Sequence, residues 1–365
     1  PEMGTFMREW VSLYESKSGE RGIFNRESAK KQAAKNGRRD VEHDFGCNPC
    51  SEIILRPYQF CNLSEVVARA GDTEQSLATK VGLATILGTF QSTLTDFKYL
   101  RKVWQKNTEE ERLLGVSLTG IMDNAMLSGN SATLGKNIGA TLELLREVAV
   151  QTNKGMAKKL GIPQSTAITC VKPSGTVSQL VDSASGIHAR HNPHYIRTVR
   201  GDNKDPLTQF LISEGIPAEP DVMKPDSTTV FSFPMKSPNA AVTRTEMTAI
   251  EQLDLWLLYQ RHWCEHKPSV TISVKENEWM SVGSWVYEHF DEVSGISFLP
   301  FSDHTYAQAP YQDCSKDEYE DMLATMPKAV NWNKLSDFEK EDTTSGGREL
   351  ACTAGVCEVV DLTAA

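Results

Sequence analysis

The spacing of apolar residues predicts a long amphipathic helix in the middle of the chain. From Ile138 to Leu160 apolar side chains recur at helical spacing, and the pattern stops at Gly161 and Pro163. The apolar, β-branched run at residues 167–171 follows and predicts a buried strand, and after it come a turn-rich KPSGT segment and a second apolar stretch, VSQLV. Helix, strand, glycine-containing loop and helix in this order are typical of an α/β protein.

Later parts of the chain continue the alternation of strands and helices. Apolar runs predict strands at residues 230–234, 269–274 and 295–300, and residues 250–261 have helical spacing. Repeats and low-complexity blocks are absent, and glycine and proline are scattered, so no clean division into two domains is visible. From about Asn333 the chain turns acidic and rich in small residues, which predicts a flexible tail over residues 333–365.

The composition is that of a globular protein with a sizeable core: 39% of the 365 residues are hydrophobic and 24% are charged. Acidic residues outnumber basic residues by 48 to 38, and the net charge of −10 gives no general attraction to nucleic acid or to an anionic membrane. The sequence shows neither an apolar stretch of roughly 20 residues nor a signal peptide. We therefore expect a cytoplasmic protein that binds neither nucleic acid nor a membrane.

The first residue is Pro1 rather than an initiator methionine, which we interpret as a sign of a fragment, a processed product or one half of a split gene. Residues 20–45 are polar and basic around Lys30 to Arg39. Such a stretch suits either an anion site or a solvated helix and loop, and the second interpretation is favoured.

Cysteine chemistry is concentrated in residues 46–63, GCNPCSEIILRPYQFCNL. Eight cysteines in the whole chain are too few for a disulfide framework, so metal-binding, catalytic or redox roles are favoured. Asn48, Cys50 and Glu52 alternate, and in an extended segment their side chains would face the same side. An amide, a thiol and a carboxylate together supply hydrogen bonds, a reactive sulfur and a proton acceptor. Cys61 follows 11 residues after Cys50.

Three interpretations of this segment compete. The first is a zinc site: Cys47 and Cys50 would form half of a four-cysteine site, and Cys352 and Cys357 would offer a second half with unusual spacing. A thioredoxin-like C-x-x-C motif is the second, but the segment leads into an extended run instead of opening a helix, so the helix dipole that stabilises a thiolate is missing. Buried cysteines acting as small hydrophobes are the third, and this leaves the polar neighbours of Cys50 unexplained.

The pattern at residues 48–53, with Cys61 after it, resembles the active-site finger loop of ribonucleotide reductases. The short interval between the two cysteines is most similar to that of the monomeric, adenosylcobalamin-dependent (class II) ribonucleoside-triphosphate reductases. The likeness continues in family order at residues 18–26, 112–123, 172–180, 185–197, 263–279 and 296–312. The resemblance implies an α/β fold, the C-terminal half of a ten-stranded α/β barrel over residues 1–332 with a finger loop at about 46–63.

The resemblance also implies a role for each residue of the loop. Cys50 would carry the thiyl radical that adenosylcobalamin initiates, and would take the 3′ hydrogen of the substrate ribose. Glu52 would be the base for the 3′ hydroxyl, and Asn48 would hold the ribose hydroxyls. Cys61 would be one of two cysteines that reduce the ribose and end as a disulfide, and its partner in the family lies upstream of the residue matching Pro1.

Two further sites follow from the resemblance. Cys352 and Cys357 in the tail match a shuttle dithiol that re-reduces the active-site disulfide and is itself reduced by thioredoxin or a similar donor. Ser174, Gly175 and Thr176 match the loop that binds the substrate phosphates, and a glycine-containing turn before a helix is suited to anions. The partners implied are a ribonucleotide, thioredoxin and the missing N-terminal half of the reductase.

Several side chains keep two interpretations. Lys172 and Arg197 are candidates for further phosphate contacts or for surface ion pairs. His262 and His266 have a metal-like spacing but no evident third ligand, which favours packing or hydrogen bonding and predicts no metal site. Among the remaining cysteines, Cys170 and Cys264 are predicted to pack in the core, and Cys314 has no assigned role. The alternatives for the whole chain are the large subunit of a metal-initiated (class I) reductase and a non-catalytic, zinc-stabilised binding module.

Overall fold

The computed structural model describes residues 1–19, 21–129, 138–301 and 307–339. The helices are α1 Met3–Glu15, α2 Arg26–Ala34, α3 Glu74–Gln91, α4 Lys102–Glu111, α5 Ile138–Leu160, α6 Val177–Leu180, α7 Pro206–Ser213, α8 Ala249–His262, α9 Trp279–Glu288, α10 Lys316–Thr325 and α11 Leu335–Phe338. The strands are β1 Gly22–Ile23, β2 Gly46–Cys47, β3 Ile54–Leu55, β4 Asn62–Val67, β5 Leu114–Thr119, β6 Thr169–Cys170, β7 His194–Asp202, β8 Ala218–Pro220, β9 Thr228–Lys236, β10 Thr271–Val274, β11 Ile296–Pro300 and β12 Tyr311–Asp313.

These elements form two compact units, each of which is described by itself. Unit 1 comprises Pro1–Arg190 and Pro238–Phe301, and unit 2 comprises His191–Ser237 together with residues after 301. Each unit is assembled from two separated stretches of chain. A division of this kind leaves no single linker in the sequence, which explains why the composition shows no boundary.

Unit 1 contains parallel strands flanked by helices. One sheet has the order β4-β5-β6 with all neighbours parallel, and a second has the order β1-β11-β10 with β1 antiparallel at its edge. A parallel bridge between Val171 and Pro268 connects the end of β6 to the segment before β10. The Val171 N–H donates to the Lys267 carbonyl at 3.1 Å, and the Ser269 N–H donates to the Val171 carbonyl at 2.8 Å. The segment before β10 is therefore fixed to the strand that leads into the predicted phosphate loop.

Two tryptophans, Trp256 in α8 and Trp263 directly after it, stabilise this junction. The helix begins with a capping box between Thr248 and Glu251. The Trp256 indole N–H donates to the Pro268 carbonyl at 2.8 Å, and the Trp263 indole N–H donates to the Cys170 carbonyl at 2.7 Å. Both rings are completely buried. Large apolar surfaces and satisfied polar groups thus hold the strand ends in place.

Unit 2 is built on an antiparallel sheet in the order β12-β7-β9-β8. Strands β7 and β9 pair over their full length, and the rings of Trp332 and Phe338 pack against the buried Phe210 of α7, with centroids 5.4 and 5.8 Å away. This packing explains why residues 332–338 are helical, although the sequence analysis placed the start of the flexible tail at 333. Cys352 and Cys357 lie outside the described residues.

The α/β class and most predicted elements are confirmed. The central helix has the predicted bounds, and strands occupy parts of the runs at 167–171, 269–274 and 295–300, while the run at 230–234 lies inside the longer β9. Within the basic stretch, Asn25 caps α2 and a loop follows, as favoured. The expected solvation is only partly correct, because Ala29, Ala33 and Arg39 are buried. Within the described ranges, the search for a helix with the length and apolarity of a membrane span found none.

Candidate functional site

Residues 46–55 form a β-hairpin in unit 1. Strands β2 and β3 pair antiparallel, and the Asn48 side chain closes the turn by accepting the Ile53 N–H at 2.9 Å. The Asn48 carbonyl accepts the Ser51 N–H at 2.8 Å, and Ser51 adopts a left-handed backbone with φ of 66°. The prediction of an extended segment is therefore wrong, because asparagine folds the chain into a local turn. Cys50 lies exposed at the tip of this turn.

Glu52 lies two residues after Cys50 and, unlike Cys50, is fully buried. Neither carboxylate oxygen has a hydrogen-bond partner among the described residues. Burying such a group without partners is costly, and native proteins seldom leave it so. A carboxylate in this state is suited to accept a hydrogen bond from a hydroxyl group of a bound molecule, or to take up its proton.

Lys267 is a second fully buried charged residue, and it lies against the same hairpin. Its Nζ donates to the Ser51 Oγ at 2.6 Å and lies 4.7 Å from the centre of the Phe24 ring. Burial lowers the pKa of Lys267 to about 8, while electrostatic interactions with Cys47 and Glu52 favour its protonated form. The ammonium therefore acts electrostatically on Glu52 without a direct salt bridge in the described structure.

Three residues of the segment 266–269 hold the hairpin through hydrogen bonds. The His266 Nδ1 accepts the Ile54 N–H at 3.3 Å, and the Lys267 N–H donates to the Glu52 carbonyl at 3.0 Å. The Ser269 hydroxyl donates to the Cys50 carbonyl at 2.6 Å. Together with the bond from Lys267 to Ser51, these contacts reach residues 50, 51, 52 and 54. We call residues 266–269 the cradle.

Cys61 lies half-buried directly before β4. Burial raises the pKa of the Cys61 thiol, and the charge of Glu52 raises it further, while Arg39 opposes the shift. Cys61 is therefore a protonated thiol at neutral pH, within electrostatic reach of Glu52. The structure thus brings the charge of Glu52 close to both Cys61 and Lys267.

A buried ion network stabilises the segment from Arg56 to Cys61, which connects the hairpin to β4. We call residues 56–61 the arm. The Arg39 guanidinium forms two bonds with Glu111, at 2.8 and 2.9 Å, and Arg56 reaches the same carboxylate at 3.1 Å. The Gln59 side-chain amide donates to Glu111 and accepts the Arg56 N–H. Arg39 therefore serves an internal ion pair, although its basic neighbourhood also suggested an anion site.

The predicted phosphate loop follows β6 and precedes the four-residue helix α6. Ser174 is buried in a left-handed conformation with φ of 58°, and its hydroxyl has no hydrogen-bond partner in the described structure. Gly175 and Thr176 are exposed, and the space beside Gly175 is open. The strand, turn and helix predicted from KPSGT are confirmed locally, and the cradle connects this loop to the hairpin through Val171.

The side chains with two interpretations are mostly engaged in structural contacts. In unit 2 Arg197 donates to the Pro310 carbonyl at 2.9 Å and lies over the Tyr311 ring. His262 pairs with Glu143, while the His266 Nε2–H donates to the Leu114 carbonyl at 2.9 Å. The predicted hydrogen bonding of both histidines is confirmed, as is the burial of Cys170 and Cys264.

No group of three potential metal ligands occurs among the described residues. The zinc pairing of Cys47 and Cys50 with Cys352 and Cys357 falls partly outside them, and the structure does not test it.

The sequence motifs alone did not reveal the part played by the cradle. Lys267 and Ser269 lie within the stretch 263–279 that resembles the reductases, yet neither was assigned a role. The available signal was the polar sequence HKPS directly before an apolar strand. A lysine that enters a strand invites the interpretation of a surface residue, and only the fold shows that Lys267 is buried.

Comparisons with known proteins agree on one group. No family model matches the chain. Proteins named adenosylcobalamin-dependent ribonucleoside-triphosphate reductase are 27% identical in Euglena gracilis over 329 residues, 26% in Lactobacillus helveticus over 380 and 29% in Lactobacillus leichmannii over 386. These alignments cover 88% to 94% of this chain but only 43% to 50% of the relatives. The chain thus spans about half the length of the curated relatives it matches.

Solved structures show the same fold. A B12-dependent (class II) ribonucleotide reductase matches with a TM-score of 0.75 at 22% identity, over 92% of this chain and 50% of the other. The class Id ribonucleotide reductase alpha subunit of Actinobacillus ureae matches with a TM-score of 0.54 at 15% identity, over 81% and 61%. The resemblance predicted from the motifs is therefore confirmed: most of this chain is similar to about half of an adenosylcobalamin-dependent ribonucleotide reductase.

Proposed function

We propose that this chain is the C-terminal half of the catalytic part of an adenosylcobalamin-dependent, cytoplasmic ribonucleotide reductase. The reaction converts ribonucleotides, preferentially the triphosphates, to 2′-deoxyribonucleotides for DNA synthesis. The observation that supports this most is the hairpin, which exposes Cys50 at its tip and buries a Glu52 carboxylate that has no hydrogen-bond partner among the described residues. The parallel strands of unit 1 would then be part of the ten-stranded barrel, with residues 46–63 as its finger loop.

Cys50 is the proposed radical residue. The Cys50 thiol would give up its hydrogen atom to the radical chemistry that adenosylcobalamin would supply when bound. The exposed position of Cys50 fits this requirement, because a bulky cofactor can approach it. The Cys50 sulfur then takes the hydrogen atom from the 3′ carbon of the ribose and returns it at the end of the reaction.

Glu52 is the proposed base for the 3′ hydroxyl. Its oxygens are ready to accept the hydroxyl proton, and loss of the 2′ hydroxyl as water then becomes easier. Asn48 closes the turn with its Oδ1, and its amide N–H group is the part that can bind a ribose hydroxyl. Cys61, a protonated thiol, supplies one of the two S–H groups whose oxidation to a disulfide balances the reduction of the ribose.

The loop at Ser174, Gly175 and Thr176 is proposed to bind the substrate phosphates. The buried Ser174 hydroxyl can donate to a phosphate oxygen, and the open space beside Gly175 lets the phosphate approach the backbone. Backbone hydrogen bonds of the cradle join the strand before this loop to the hairpin, which supports the proposal that one nucleotide contacts both. Cys352 and Cys357 are proposed to re-reduce the active-site disulfide by thiol exchange, with thioredoxin as the final donor.

Reconstitution tests the proposal. The chain is mixed with a polypeptide that supplies the remaining half of a relative, together with adenosylcobalamin, a ribonucleoside triphosphate and a dithiol reductant. We expect deoxyribonucleotide formation that Cys50→Ala abolishes. The matched control is Cys314→Ala, which changes a half-buried cysteine of unit 2 that has no assigned role. Activity that persists in Cys50→Ala, or that requires a metal-bearing radical subunit instead of adenosylcobalamin, would sink the assignment.

A further inference from the structure

The cradle contains a residue, Lys267, to which neither the motifs nor the proposed mechanism assigns a role. Lys267 is completely buried, which is rare for a lysine unless its charge is compensated. Its ammonium donates to Ser51, the residue between the proposed radical cysteine and the proposed base. The peptide N–H of the same lysine holds the Glu52 carbonyl at 3.0 Å. Lys267 thus hydrogen-bonds to the turn through both its side chain and its backbone.

The surroundings leave the ammonium little freedom. The Phe24 ring covers it from one side. At Gly295 an added Cβ would lie 2.7 Å from the Lys267 Nζ and 2.4 Å from the Ser51 Oγ, so these atoms are packed directly against the glycine backbone. Because packing already restricts the Lys267 side chain, its hydrogen bond to Ser51 costs little additional conformational entropy. Such packing is what a positioning residue requires.

The charges around Lys267 come from two elements. On the hairpin, Cys47 and Glu52 favour the protonated amine, and on the cradle His266 stays neutral because burial lowers its pKa to about 3. The Glu52 carboxylate has no hydrogen bond in the described structure to stabilise its negative charge. A nearby buried cation is then a main source of compensation, since opposite charges interact strongly away from water.

We propose that Lys267 is a positioning residue of this site: its ammonium anchors the hairpin tip through Ser51 and supplies positive charge that compensates the buried Glu52 carboxylate. The role in catalysis rests on the proposed function, since Cys50 and Glu52 are placed by it. The positioning itself is a property of the folded chain and is measured without turnover.

A double-mutant cycle tests the charge compensation. Lys267→Met, Glu52→Gln and the double variant are compared with the unchanged chain by urea unfolding at pH 7. We expect Lys267→Met to lower the urea midpoint markedly when Glu52 is present, and to lower it at most slightly when residue 52 is the neutral glutamine. The difference between the two backgrounds should shrink at pH 9.5, where Lys267 has lost its proton. A packing role alone gives equal losses in both backgrounds at both pH values, and that result overturns the proposal.

Folding failure does not leave the question open. Should Lys267→Met be unfolded, the proposal still requires the double variant to fold, because it no longer contains a buried uncompensated carboxylate. A double variant that is unfolded as well refutes the charge compensation.

Hydrogen exchange of the peptide at residues 46–55 tests the anchoring. We expect at least tenfold faster exchange in Lys267→Met and a smaller increase in Ser51→Ala, because the latter loses the hydrogen bond but keeps the charge. Lys80→Met is the matched control, since the Lys80 ammonium binds the Val67 carbonyl at 3.0 Å and the Asp72 carboxylate. Unchanged exchange in Lys267→Met would contradict the anchoring. Both measurements hold even if the reconstituted protein reduces no ribonucleotide, so the two proposals fail separately.

Discussion

His266 uses both ring nitrogens on backbone groups, accepting from Ile54 and donating to Leu114. Burial lowers its pKa from 6.5 to about 3. Between these values the unfolded chain binds a proton that the folded chain does not, so folding stability falls as the pH drops from 6.5 towards 3. One such group contributes a slope of at most roughly 1.4 kcal/mol per pH unit. His266, which binds the hairpin at Ile54, therefore makes the folding stability depend on pH.

We predict that His266→Gln flattens the pH dependence of stability. Glutamine keeps a donor and an acceptor but binds no proton in this range. Urea unfolding between pH 6.5 and 4.5 should show a smaller loss per pH unit than in the unchanged chain. His43→Gln is the control, because His43 is a surface histidine next to Asp40. Equal slopes for His266→Gln and the unchanged chain would refute the prediction.

Gly295 lies directly against the Ser51 hydroxyl and the Lys267 ammonium. We predict that Gly295→Ala lowers the free energy of unfolding by roughly 1–3 kcal/mol, because the new methyl group would displace the Ser51 hydroxyl and the Lys267 ammonium. Gly155→Ala is the matched control: this glycine lies inside α5 with open space around it, and alanine there should stabilise by roughly 0.5–1 kcal/mol. Denaturant unfolding of both variants measures the contrast. A loss at Gly155 as large as that at Gly295 would count against the steric explanation.

At the scale of elements, the arm at residues 56–61 belongs to no helix or strand, and buried ion pairs keep it in place. Glu111 of α4 is the centre of this arrangement and is buried between Arg39 and Arg56. We predict that Glu111→Gln costs about 3–5 kcal/mol of stability, because two guanidinium groups lose their buried partner. Glu110→Gln removes the exposed partner of Arg56 and should cost less than about 1 kcal/mol.

Thermal or urea unfolding measures both variants, and alkylation of Cys61 reports on the arm directly. Cys61 should react faster with iodoacetamide in Glu111→Gln than in Glu110→Gln, since only the former releases the arm. Similar losses in the two variants would mean that the network does not hold the arm.

Elements with a strong pattern were predictable from the sequence, and those made by distant contacts were not. The central helix at residues 138–160 carries its own periodicity and stop signals, so its bounds follow from the sequence. The turn at residues 48–53 depends on a side-chain hydrogen bond of Asn48, which period-two spacing cannot show. The burial of Lys267 depends on Phe24 and Gly295, which lie far from it in sequence.

At the scale of the whole molecule, the chain has two units and about half the length of its relatives. In the proposed function Cys61 is one of the two reducing thiols, and the resemblance places its partner in a part of the family that aligns before Pro1. Multiple turnovers then need both that partner and a route for electrons from outside. The proposed route is the dithiol at Cys352 and Cys357, which the sequence places near the end of the chain.

We predict that Cys352→Ser separates one turnover from many. In the reconstituted enzyme a reduced active site holds electrons for a single ribonucleotide, so one equivalent of deoxyribonucleotide should form in a rapid-quench experiment. With thioredoxin and its reductase, further turnover should fall at least tenfold, because thiol exchange requires both shuttle cysteines. A small dithiol that reaches the active site directly should restore turnover. Cys264→Ser offers the control for loss of a cysteine without redox function, since Cys264 is buried in the core. Equal multiple turnover in Cys352→Ser and the unchanged chain would exclude the shuttle role while leaving the assignment of Cys50 intact.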